Sequence, residues 1–150
     1  MRVLRTLLIV ATVAMTGAWI GQSTPDFSGT WTFVEVSGGT TRGTPVPGNQ
    51  RTPNISGAAF NCGQECTITQ KDDKLTISRP APAQGAKPAD TVLTIDGKAA
   101  KWDGQKLIVT RALGPTAVTQ TLSLDNGKLS IVAVFSPEGL PSTTTTYQKK

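Results

Sequence analysis

The sequence predicts an all-β domain: an antiparallel up-and-down meander that curls into a small barrel of roughly eight to ten strands, behind an N-terminal signal peptide. Three observations carry the prediction. From Ser28 onward apolar and polar residues alternate in twos, and no stretch after Ile20 shows a helical stripe. Threonine occurs 23 times, and β-branched residues fit a half-buried pleated surface. Turn dipeptides recur between the alternating runs, with Asp96-Gly97, Asp103-Gly104 and Asn126-Gly127 close together.

Residues 1–23 read as the leader. Arg2 and Arg5 form a positive start, TLLIVATVAMTGAWI an apolar run, and Gly17, Ala18, Gly21 and Ser23 a small-residue exit. The run is short for a bilayer span, which needs roughly 20 residues. An uncleaved anchor is the alternative, and it would be the only membrane contact. Cleavage after Ala18 or after Ser23 fits the exit. Residues 24–150 are then one domain of 127 residues (150 less 23). Two of the 15 basic residues leave with the leader and none of the 10 acids, so the formal charge falls from +5 to +3. The remaining cations are scattered, which argues against a nucleic-acid partner. The expected location is secreted or periplasmic.

The first run, SGTWTFVEV from Ser28, places Trp31 and Phe33 on one side of a strand, with Glu35 as a further candidate for that side. Residues 37–61 are rich in Gly, Pro, Thr and Asn and read as a long loop, a length usually functional or without fixed structure. NCGQEC follows. In an oxidising compartment Cys62 and Cys66 read as a disulfide, with free thiols or a metal site as alternatives. The chain has no histidine, and zinc needs about four ligands, so no metal is expected. Gly63 allows the left-handed backbone that a small ring needs.

Cys66–Gln70 and Lys74–Arg79 alternate around the polar tip Lys71-Asp72-Asp73. Residues 80–89 form a Pro/Ala spacer whose prolines cannot join a central ladder. The later runs are 91–95, 98–102, 106–112, 117–124, 128–135 and 142–148. Leu75, Ile77, Ile95, Leu107, Val109, Leu122, Leu129, Ile131 and Val134 are the aliphatic candidates for the interior. That makes nine runs, whereas a closed antiparallel meander needs an even number. Either 98–102 extends its neighbour or the 37–61 loop holds another strand.

Closing the sheet removes its two exposed edges. The start of the first strand then lies beside the end of the last, setting Trp31 near Tyr147 and Lys149. The indole plugs the floor, Gly29 lets the entering chain pass close, and the lysine stem lies over the indole face. An open sandwich with one more core tryptophan is the alternative.

Gly29-Thr30-Trp31 on a first strand, a long loop and a meander together resemble the calycin superfamily of lipocalins, fatty-acid-binding proteins and avidins. DFSGTW, KWDGQKLIVTR and the Thr/Tyr/Lys-rich tail are most similar to small secreted bacterial lipocalin-like proteins of undefined role. The resemblance covers Asp26 to Lys150. It implies a barrel able to hold a small apolar ligand, with the first loop near the mouth and Gly29 and Trp31 as the floor motif. The segment 136–141 is too short for the helix that lipocalins carry before their last strand, and their Thr-Asp-Tyr motif is missing.

Three function classes follow. The first is a binding protein for a small apolar molecule. The second is a protein-binding module acting through the 37–61 loop, with Arg42, Arg51 and Phe60 as contacts. Small secreted protease inhibitors also resemble this chain in Gly29/Trp31 and Cys62/Cys66. The third is an enzyme, and it is not expected: without histidine there is no Ser-His-Asp or Cys-His pair, and no nucleophile elbow or phosphate loop occurs. Catalytic residues and cofactors are therefore expected to be none.

Overall fold

A computed structural model describes residues 23–38, 58–81, 89–136 and 141–150. The leader and the loop residues Arg42 and Arg51 lie outside the described residues. Nine strands form one antiparallel sheet with no helix among the described residues: β1 (Gly29–Gly38), β2 (Glu65–Lys71), β3 (Lys74–Arg79), β4 (Ala89–Thr94), β5 (Ala100–Asp103), β6 (Lys106–Leu113), β7 (Thr116–Asp125), β8 (Lys128–Ser136) and β9 (Thr143–Lys149). The spatial order is β4-β3-β2-β1-β9-β8-β7-β6-β5, and the sheet curls into a nearly closed barrel.

The described strands stay odd in number. With every neighbouring pair antiparallel, the edge strands β4 and β5 run in the same direction. β4 pairs only with β3, and β5 only with β6. Residues 100–103 form a strand of their own on the edge opposite β4, and residues 39–57 of the long loop, the other place for an extra strand, lie outside the described residues. Asp96-Gly97 carries the chain from one edge strand to the other and is not the turn of a hairpin, which corrects the reading of that dipeptide as a link between paired strands. Asp96 Oδ1 accepts the N–H groups of Lys98 at 2.8 Å and Ala99 at 2.9 Å, while Gly97 N–H reaches the Ala100 carbonyl at 2.9 Å. The N–H groups of Lys98, Ala100 and Ala99, led by Lys98, hold the Asp96 carboxyl below the usual carboxylate range.

The turn at Asn126-Gly127 does make a hairpin. Both residues have positive φ, at 49° and 74°, between the paired Asp125 and Lys128. That is the twist a two-residue turn needs to join antiparallel strands.

Alternation sorts the walls. On β8, Leu129, Ile131 and Ala133 are buried and Val134 is 41% exposed, so Val134 leaves the expected interior set. Period two puts it on the outer face once its neighbours face in. A β-bulge between Phe33 and Glu35 resets the phase of β1. Phe33 packs inward, Glu35 is exposed, and Val36 returns to the half-buried side.

Candidate functional site

The floor of the barrel is closed by the segment entering β1. Phe27 is fully buried and stacks on Trp102, with ring centroids 5.7 Å apart. Trp31 is 1% exposed and donates its indole N–H to the Phe27 carbonyl at 2.8 Å. Gln70 fastens this segment from β2: its Oε1 accepts Phe27 N–H at 3.0 Å and its Nε2 donates to the Pro25 carbonyl at 3.1 Å.

The first and last strands meet here. Trp31 pairs with Cys66 on one side and Lys149 on the other, and Phe33 pairs with Tyr147. The Lys149 ammonium lies 5.8 Å from the Trp31 ring centroid. Gly29 has φ +138°, and a Cβ there would sit 2.5 Å from Lys149 Cε, so the glycine admits both the backbone and the lysine stem. The structure thus brings Gly29, Trp31, Tyr147 and Lys149 to one seam.

Above the floor the core also takes in a residue that no strand supplies. Phe60, in the segment before the disulfide, is 2% exposed and belongs to the core. Read from sequence as an outward loop contact, it points into the barrel, because burying a phenyl ring removes a large apolar area from water. Gln120 of β7, itself 2% exposed, holds it with two 2.8 Å bonds, Phe60 N–H to Oε1 and Nε2–H to the Phe60 carbonyl. The side chain behaves as a short strand that pairs with one residue. A residual cavity of about 20 Å³, lined by Phe60, Asn61, Gln120, Thr145 and Tyr147, is room for one water molecule.

Tyr147 is 4% exposed, and burial pushes its phenol up to about 12. A raised folded value means that the native state keeps its proton while the unfolded chain loses it near the ordinary 10. Stability is whole below pH 10 and falls as pH rises to 12, by an amount on the order of 2–3 kcal/mol. Tyr147 is the only tyrosine, so phenolate absorbance reads it directly. Folded protein is expected to titrate near 12; a midpoint at the free-phenol value would show that the ring is wet.

Cys62 and Cys66 form a disulfide, with Cα atoms 5.0 Å apart and Gly63 at φ +67°. Among the described residues, no cluster of three metal-ligating side chains occurs and no helix is long and apolar enough to cross a membrane. Sequence reasoning missed Gln70, Gln120 and Arg79. The signal was available: each is a polar residue at an inward register of an otherwise apolar alternation, as in Val118-Gln120-Leu122 and Leu75-Ile77-Arg79.

No family model matches the chain, and no curated protein does. Solved structures share its fold. The wild-type fluorescent protein UnaG aligns with a TM-score of 0.54 at 15% identity, covering 83% of this chain and 97% of its own. An asparagine-to-glutamine mutant of UnaG aligns with a TM-score of 0.53 at 16% identity, covering 82% and 95%. REP1-NXSQ, a fatty acid transporter, aligns more distantly, with a TM-score of 0.41 at 12% identity over 82% and 95%.

Proposed function

We propose that this protein is an exported binding barrel for a small apolar molecule, which enters the interior when Phe60 withdraws. One observation carries the reading. Part of the core, otherwise built from strand side chains, is supplied by Phe60 of a connecting segment, whose main chain is fastened by one glutamine. Strand-borne side chains line the resulting space with aliphatics such as Leu122 and Ile131. Barrels of this size either fill solidly or hold one small ligand, and a removable plug supplies the second option. The disulfide supports export, since such bonds persist in oxidising compartments. The absence of histidine from the whole chain supports binding over catalysis.

The test is Phe60→Ala. The variant is expected to lose about 3–5 kcal/mol of stability and to gain uptake of a neutral probe such as toluene, which fills the vacated volume as small apolar molecules fill engineered cavities. Melts run with and without toluene read both effects. If toluene raises the melting temperature of neither the wild-type protein nor the variant, the interior does not open and the reading fails.

A further inference from the structure

We propose that the notch where the β2–β3 pairing ends is a binding site for a small organic anion, with Arg79 as its recognition group. The two strands pair from Lys71↔Lys74 up to Thr67↔Ser78. Beyond that the β2–β3 pairing stops, while Cys66 and Glu65 still pair with β1 and Arg79 with Ala89 of β4. The Cys62–Cys66 ring leads into β2, and Pro80, which has no N–H to donate, ends β3. Beside them is a cavity of about 460 Å³ lined by Cys62, Gly63, Gln64, Glu65, Arg79, Pro80 and Ala81. It runs into a shallower space of about 260 Å³ against Thr67 and Ser78. A volume of this size suits a small organic molecule, and the disulfide, proline and alanine give it apolar walls.

Arg79 supplies what such a molecule would need at its polar end. It is half-buried, and its Nε–H is buried with no hydrogen-bond partner. Such an orphaned donor calls for an explanation, and an unseen ion or ligand is one of the ordinary ones. No carboxylate among the described residues lies within ion-pair distance of it; Glu65 is engaged instead by Lys150 at 3.2 Å. A guanidinium presents five donors in a planar fork that matches an oxyanion edge on. Apolar walls with one unpaired planar cation select a compact carboxylate with an apolar body, or an inorganic oxyanion seated on the same fork. The site includes neither Phe60 nor Gln120 and does not depend on the interior reading.

Calorimetric titration of the full chain with phenylacetate and with phenylethanol, its near-isosteric neutral counterpart, tests the proposal. Phenylacetate is expected to bind at least about tenfold more tightly, the scale of a charge-assisted pair, and Arg79→Gln to abolish the difference while leaving phenylethanol binding unchanged. Inorganic phosphate serves as a third arm: equal binding at the same place identifies the fork alone as the determinant, and weaker binding identifies the walls as contributors, both within the proposal. Equal affinities for phenylacetate and phenylethanol in the wild-type protein would overturn it without any variant. So would a preference for phenylacetate that survives Arg79→Gln. Neither result touches the toluene experiment, so the two readings stand or fall separately.

Discussion

Replacing Trp31 by alanine is expected to destabilise the domain by about 3–5 kcal/mol, the usual loss for a large buried aromatic. The indole is 1% exposed, so nearly all of its apolar surface is withdrawn from water. Its removal also strands the Phe27 carbonyl, which accepts the indole N–H at 2.8 Å, and takes away the surface over which Lys149 lies. The damage falls on both partners of β1, because Trp31 pairs with Cys66 and Lys149 together. A thermal melt against the exposed control Thr69→Ala measures it. If the tryptophan variant melts no lower than the threonine variant, the floor is not what holds the barrel shut.

Gln120→Leu is expected to cost about 2–6 kcal/mol, although leucine is more apolar and similar in size. The reason is the asymmetry of buried hydrogen bonds: removing one partner leaves the other unsatisfied. Here two main-chain groups of Phe60, its N–H and its carbonyl, lose their 2.8 Å partners at once, at roughly 1–3 kcal/mol for each buried group. The variant has a second consequence that a merely structural glutamine would not produce. With the fastening gone, the Phe60 segment is expected to swing out more often, so the variant should take up toluene without any change at position 60. Urea melts give the stability loss and probe-dependent melts give the uptake. A leucine variant as stable as the wild-type protein would show that the segment is held by the phenyl ring alone.

Much of the fold was legible because strands advertise themselves by period. Alternation in Ser28–Val36, Lys74–Arg79 and Lys128–Phe135 is a direct imprint of one wet and one dry face. Asn126-Gly127 could be read as a hairpin because few residues accept positive φ twice in succession. The same rule misled at Asp96-Gly97. A turn dipeptide reports that the chain bends, and whether the flanking strands then pair depends on what stands at the sheet edges. The bulge at Phe33/Glu35 left no mark for the same reason: it answers to the register of β9, far along the chain. The interior was hardest to read. Phe60 lies in a Gly/Pro-rich context that reads as exposed loop, and its burial is decided by Gln120, 60 residues away. Arg79 passed unnoticed because a cation ending a strand is ordinarily solvated; its environment is set by the disulfide ring and Pro80, which come together only in three dimensions.

The placing of β4 and β5 on opposite edges has one more implication. Read from β5, the spatial order runs 5-6-7-8-9-1-2-3-4, which is chain order with the starting point moved. The last strand's end already adjoins the first strand's start, since Lys150 N–H bonds the Thr30 carbonyl at 2.9 Å. A circularly permuted gene that opens the chain within 96–98 and tethers Lys150 to Ser23 would keep every ladder and give up only the small turn around Asp96. The architecture is in that sense a ring of hairpins, and where synthesis happens to start is incidental to its geometry.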